Sequence, residues 1–477
     1  IITICLGIVI PRLVLVSFGS EVNGLLNSVN QILVYFSLFE AGVGIAALQA
    51  MYAPVAKDDK DKIQHIMAAT HLFYRKVGIL YGIAVIILSV IYPFCVKSQI
   101  SYGVIFGVIL FSGLGNCLNF LYQGKYKILL QAEGYSYVIT NITTLITVLT
   151  NVVKTILLGQ GFDVLAVQFS FFVVNVLQML LYYVYIHRRY GWLDLKVEPD
   201  NKAIAQKNST LIHQISGMVF NNTDVLLLTL ITQNLMIVSV YTMYNTIINM
   251  VNTMIQQVSA GFDFRLGQLY NTEKEVYFRL HHIFEIVYLV LVFSAMTVVY
   301  LVILPFMRLY TAGVSDINYI DSSYPLVFVL VPLLTYGRTS ASNLINYAGH
   351  FKETQWRAIA EASINIVASI IGIYYFGIYG ALVGTILASL YRTNDMILYV
   401  YKYFIKSSPW TTYKRWLSCF VIFGVVVKFI NNDPAYCNSY IHILLYGVLC
   451  GVLCVAAYGG VQMIINGEER RNMIGIL

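Results

Sequence analysis

Runs of about twenty or more apolar residues recur from one end of this chain to the other, and no other feature constrains its fold so strongly. A helix rises 1.5 Å per residue, so roughly twenty residues cross a hydrocarbon core of ~30 Å. Inside that core every backbone amide and carbonyl must find a partner within the protein, which leaves helices and closed barrels as the spanning structures. Barrel strands alternate apolar and polar residues in segments of about ten, whereas the runs here are continuous and longer. The sequence therefore predicts an all-α polytopic membrane protein. Composition agrees: of 477 residues 58% are hydrophobic and 11% charged, against roughly 25% charged in a soluble domain, and the mean hydropathy is +0.72. The longest polar connection, residues 187–209, is too short for a separate catalytic or receptor domain.

Connections rich in charge or in Gly, Pro and Asn divide the chain into about fourteen transmembrane spans. Six lie near residues 1–18, 25–52, 77–97, 101–122, 136–158 and 163–186. Six more lie near 209–232, 235–262, 282–304, 325–347, 358–376 and 380–404, and the last two near 415–431 and 440–464. Basic connections are retained in the cytoplasm. With residue 1 entering from that side, 23 of the 30 Lys and Arg residues fall on inner connections, and only Lys97 and Arg308 on outer ones. Both termini are then cytoplasmic. The chain opens at Ile1 within an apolar run and without an initiator Met, so the first span is expected to be incomplete; nothing resembles a cleaved signal peptide. The net charge of +7 does not imply a nucleic-acid partner, because the basic residues form no dense run. Seven cysteines, odd in number and without a CxxC spacing, read as packing residues rather than as a disulfide framework or a metal site.

The chain repeats itself weakly at an offset near 215 residues. Ile91-Tyr-Pro93-Phe94 recurs as Ile303-Leu-Pro305-Phe306, and Tyr183-Val-Tyr185 recurs as Tyr399-Val-Tyr401. Six spans per repeat is an even number, so the halves share one orientation and form a parallel pseudo-repeat, an arrangement that transporters use with the substrate site between the repeats. The expected organisation is an N-terminal six-helix lobe over 1–190, a cytoplasmic linker over 191–208, a second six-helix lobe over 209–404, and two additional helices with a cytoplasmic tail over 405–477.

Charges inside spans cost ~2.5 to 3.5 kcal/mol on insertion scales, so each is a site hypothesis. Arg12, after Pro11, has two readings: a stem that snorkels to the outer interface, or a guanidinium facing a wet cavity. Glu40 is too short to reach either interface from the middle of span two. Asp224 occupies the place in span seven that Arg12 occupies in span one, a cation in one half against an anion in the other. Arg338 lies near the centre of span ten, where a guanidinium suits bidentate phosphate binding, or an ion pair that locks two helices. Arg392 and Asp395, three residues apart on span twelve, can neutralise each other or leave Arg392 as a third anion-binding group. Glu285 and Glu361 lie close enough to inner ends to snorkel. The charged stretches 57–76 and 265–282 read either as helices on the inner membrane surface or as solvated connectors.

The run Pro11-Arg12-Leu13, continuing through Phe18-Gly19-Ser20-Glu21-Val22-Asn23-Gly24-Leu25 and then Ser37-Leu38-Phe39-Glu40-Ala41-Gly42-Val43-Gly44, resembles the N-terminal signature of bacterial polysaccharide-repeat (Wzx-type) flippases. These form the polysaccharide transport family within the superfamily of multidrug, oligosaccharidyl-lipid and polysaccharide exporters. The motif-level match is confined to about the first 60 residues; span count and repeat extend it over the whole chain. The resemblance implies a MATE-like, V-shaped transporter of twelve core helices plus two, in the bacterial cytoplasmic membrane, that flips isoprenoid-pyrophosphate-linked oligosaccharides to the outer leaflet by alternating access. It implies a cationic cavity, with Arg12 and Glu40 where related flippases carry functional charges.

The expected function is thus movement of a lipid-linked oligosaccharide in surface-polysaccharide biosynthesis. Arg12, Arg338 and Arg392 would bind the pyrophosphate; Glu40 and Asp224 would form ion pairs or take a coupling cation, Na+ or H+. Membrane lipids and other polysaccharide-assembly proteins are the expected partners, and no cofactor is expected. The rival is a cation-coupled small-molecule or multidrug exporter of the same superfamily. An enzyme is disfavoured: the longest outer connection, residues 305–324, is short, and no deep His is placed by sequence beside a nucleophile or metal partner.

Overall fold

The computed structural model describes residues 2–40, 43–204, 208–434, 436–467 and 469. Among them the chain is helical throughout, with no strand, as continuous apolar runs in a membrane require. It divides into two compact units, Ile1–Ser239 and Val240–Leu477.

The first unit contains α1 (Ile2–Phe36), α2 (Val43–Ala56), α3 (Lys60–Cys95), α4 (Tyr102–Leu118), α5 (Gly124–Ala132), α6 (Ser136–Gly159), α7 (Val164–Arg189) and α8 (Asn208–Thr232). α9 (Leu235–Thr272) carries the chain into the second unit, which contains α10 (Lys274–Tyr310), α11 (Tyr324–Gly337), α12 (Thr339–Tyr347), α13 (Phe351–Phe376), α14 (Ile378–Val400), α15 (Trp410–Phe429) and α16 (Tyr440–Ile465). Nine helices among the described residues are long and apolar enough to cross a membrane by length and composition. Shorter or more polar segments complete about fourteen crossings, the all-α polytopic fold that the hydropathy pattern predicts.

Local chemistry sets the breaks. α1 bends at Gly19, whose φ of 81° lies in the left-handed region that a side chain disfavours. A short 3-10 turn, Ser37–Glu40, follows α1. The side chains of Asp59, Asp163 and Ser439 accept hydrogen bonds from backbone amides three residues on, capping α3, α7 and α16. A π turn, Asn119–Gln123, joins α4 to α5, and another, Tyr401–Ile405, follows α14. Such turns shift the register of a helix and recur at functional sites.

The charged stretches between spans are helical and continuous with the spans they adjoin rather than separate helices. α3 begins at Lys60 and runs unbroken into its span, while α9 continues to Thr272 and α10 restarts at Lys274. The membrane helices project as hairpins beyond the apolar runs, because backbone hydrogen bonding propagates cheaply once a helix is nucleated. Span ten, in turn, is two helices: Arg338 stands between α11 and α12 with φ −83° and ψ 3°, outside helical geometry.

α13 and α14 form a tight hairpin turned at Gly377. A β-carbon at Gly380 would overlap the backbone of Gly372, and one at Gly384 would overlap Ser369. Gly380-Ala-Leu-Val-Gly384 is a GxxxG stripe, which lets helix backbones approach where lipid removes the hydrophobic drive to associate.

Candidate functional site

The break at Arg338 aims a guanidinium at α13. Its Nη2 donates to Glu361 Oε1 at 2.6 Å, while Glu361 Oε2 lies 3.4 Å from Arg392 Nε. Arg392 also donates to Asp395 Oδ2 at 2.9 Å, and Asp395 pairs in addition with Arg357. Arg338 and Arg392 are 9% and 3% exposed. Charges this deep persist only when paired and hydrogen-bonded. The structure therefore brings together two of the arginines singled out in the sequence, and joins them through Glu361, whose role sequence position alone had assigned to snorkelling. The two deep guanidiniums are thus matched by two carboxylates, and the third cation of the cluster, Arg357, is 35% exposed.

A second cluster lies in the first unit. Glu40 accepts a hydrogen bond from the Tyr74 hydroxyl and lies within the electrostatic reach of Lys127. Lys127 donates to Asn119 Oδ1 at 2.7 Å and stands 5.8 Å from the centre of the Tyr182 ring. Nearby on α5, Lys125 is buried, 2.9 Å from His71 Nδ1, with its ammonium over the rings of Tyr122 and Tyr126. Cation–π contacts of this kind strengthen as water is removed. Gln123, fully buried in the π turn between Asn119 and these lysines, has neither amide atom hydrogen-bonded. By sequence, Lys125 and Lys127 lie between two apolar runs and count among the basic residues of the inner connections. Their capture follows from the π turn, which no hydropathy average reveals.

Arg12 lies half-buried on the turn of α1 after Pro11, next to Val14 and Leu15, which are buried. Asp224 is buried on α8, beside a seam of polar pairs that joins α8 and the start of α9 to α1 and α3. Along it Asn23 donates to Ser239 at 2.7 Å, Gln31 donates to Asn222 at 2.5 Å, and Tyr35 and Thr223 share a hydrogen bond of 2.6 Å. Ser28 accepts from both Tyr92 at 2.8 Å and Thr229 at 2.9 Å. Asp224 is also close enough to act electrostatically on Tyr35.

A third network escaped sequence reading. Arg415, only 1% exposed, pairs with Glu285 of α10 and with Glu469 at 2.5 Å, and donates to Asn466 Oδ1 at 2.8 Å. Thr412 donates to the same Glu285 at 2.6 Å. These bonds fasten α15 and the end of α16 to α10. No group of three or more His, Cys, Asp or Glu side chains that could hold a metal ion occurs among the described residues.

The two units are all-helical, and buried charged clusters occur in both. The chain resembles a lipid II flippase, MurJ, in an inward closed conformation, with a TM-score of 0.69 and 14% identity over 99% of this chain and 98% of that one. It also resembles an inward-facing multidrug resistance MATE family transporter of the MOP superfamily, with a TM-score of 0.63 and 13% identity over 90% and 96%. A third likeness is to the MATE multidrug transporter DinF-BH, at 0.61 and 13% over 84% and 92%. At such identity the likeness establishes the fold. No protein-family model matches the chain, and no curated protein matches its sequence.

Proposed function

We propose that this protein moves an isoprenoid-pyrophosphate-linked oligosaccharide from the inner to the outer leaflet of a bacterial cytoplasmic membrane by alternating access. The observation that carries this reading is a set of cations drawn out of water: Arg338 and Arg392 around Glu361 and Asp395, with the partly exposed Arg357 beside them, and above all Lys125 and Lys127 beside the single carboxylate Glu40. Desolvated cations in excess of their counter-ions favour an anionic ligand, and guanidiniums match phosphate oxygens in bidentate geometry. The shared fold with a lipid II flippase over nearly the whole chain supports the same reading. Arg12, Arg338 and Arg392 would contact the pyrophosphate, while Glu40 and Asp224 would hold the network together or take a coupling Na+ or H+.

The competing reading, a cation-coupled drug exporter, draws on the buried carboxylate of Asp224 and on the shared fold with MATE transporters. Proteoliposomes holding the purified protein, a labelled lipid-linked oligosaccharide and, separately, a cationic dye distinguish the two. Exchange of the oligosaccharide lipid between leaflets, lost in Arg12→Gln and Arg338→Gln, is the expected result. Transport of the dye alone, or flipping at wild-type rate in both variants, would overturn the proposal.

A further inference from the structure

On the hairpin of α9 and α10 two cavities lie on either side of one helix. An apolar crevice of about 260 Å³ runs between the helices, lined by Leu266, Leu269, Leu280, Ile283 and Phe284, with Val258, Phe262 and Val287 on its exposed flank. Around α9 from it opens a shallow cleft of about 720 Å³ of mixed character, where the polar Asp263, Gln268, Asn271 and Thr272 stand beside the rings of Phe264 and Tyr347. Arg265 lines both. It is exposed and has no carboxylate partner among the described residues. By the distribution of basic connections, this end of α9 is the cytoplasmic end.

The geometry points to a docking site for one amphiphile. We infer that the α9–α10 hairpin binds a phosphate-bearing isoprenoid glycolipid from the inner leaflet, with the chain in the crevice, the phosphate on Arg265 and the sugars in the cleft. Each part follows from its lining. Leu266, Leu269 and Ile283 offer only hydrocarbon contact, so a polar occupant would be left without hydrogen-bond partners there. Arg265 supplies the fork that phosphate oxygens accept, just past the apolar run that ends near residue 262. In the cleft, Asp263 Oδ1 accepts from Asn343 at 2.7 Å and from the Tyr347 hydroxyl at 2.8 Å, so the carboxylate and ring are held in place. Gln268 adds an exposed amide, Asn271 an amide oxygen whose own nitrogen donates to Gly267 O at 2.9 Å, and amides and carboxylates of this kind suit hydroxyl-rich ligands. A phospholipid would satisfy the crevice and Arg265 but leave the cleft unused. The inference rests on the proposed function, since it names where that substrate is first held.

The test uses the full chain in detergent and a tritiated farnesyl-pyrophosphate-linked N-acetylglucosamine, which carries chain, phosphate and sugar, as the probe. Arg265→Gln and Ile283→Trp should each weaken binding about tenfold, Arg265→Lys should recover part of the loss, and inorganic pyrophosphate, farnesol and phosphatidylglycerol should each displace the probe poorly. Val287→Trp, on the exposed flank, serves as a second crevice variant in case Ile283→Trp misfolds. Binding unchanged in Arg265→Gln and in the crevice variants, or displacement by phosphatidylglycerol as readily as by the probe itself, would overturn the site. Leaflet exchange of the labelled oligosaccharide lipid, run in parallel on the wild type, separates the two claims. Exchange with normal probe binding in every variant removes this site alone; dye transport without exchange removes the proposed function.

Discussion

Arg338 and Glu361 meet at 2.6 Å across the break between α11 and α12, and the second oxygen of the same carboxylate faces Arg392 at 3.4 Å. One acid thus holds two cations that lie 54 positions apart in the chain. Removing it should be worse than removing either partner, because two buried guanidiniums lose their shared counter-charge. Glu361→Ala is expected to cost about 3–5 kcal/mol, the range for breaking a buried pair. Thermal unfolding in detergent checks this; Arg338→Met combined with Glu361→Ala should restore part of the loss, and a transition unchanged in the single variant would contradict the assignment.

Arg415 should tolerate lysine poorly. Its guanidinium reaches Glu285, Glu469 and Asn466 at once, and a single ammonium cannot span that fork. Both Arg415→Lys and Arg415→Ala are expected to loosen α15 and α16 from α10, the alanine by about 3–5 kcal/mol because Glu285 stays buried without its cation. Hydrogen exchange over 410–429 and 440–465 is the readout; protection equal to wild type in the alanine variant would show that the network does not fasten these helices.

The α13–α14 crossing depends on the absence of side chains. Gly380→Ala places a methyl group against the Gly372 backbone, which cannot rotate away. A loss of about 1–3 kcal/mol, typical of overpacking, is expected in the melting transition. Gly424→Ala on α15, where a β-carbon meets open space, should leave the transition in place.

Ser28 and Thr229 lie side by side on α1 and α8, with hydroxyl oxygens 2.9 Å apart. Polar contacts between membrane helices average about 0.6 kcal/mol in measured cycles, weak enough for a seam that opens and closes. Cysteines at both positions, in a background without the native thiols, should form a disulfide under mild oxidation and stop transport until reduced. Transport by the crosslinked protein at wild-type rate would mean that the seam stays shut throughout the cycle.

The sequence alone determined the class and course of this protein. Twenty-residue apolar runs leave no option but spanning helices, and the charge asymmetry of the connections sets the expected orientation, because both are one-dimensional consequences of moving a chain between water and hydrocarbon. Depth within a span likewise marked Arg12, Glu40, Asp224, Arg338 and Arg392. What each charge faces is a different kind of fact. Glu361 and Lys125 look peripheral in sequence yet are buried, since a broken helix at Arg338 and a π turn at 119–123 carry side chains to partners that hydropathy cannot see. Arg415 found Glu285 across 130 positions. Only tertiary packing decides such pairings, because the cost of burying a charge is cancelled by whichever opposite charge the fold brings within a few ångströms, however distant it is along the chain.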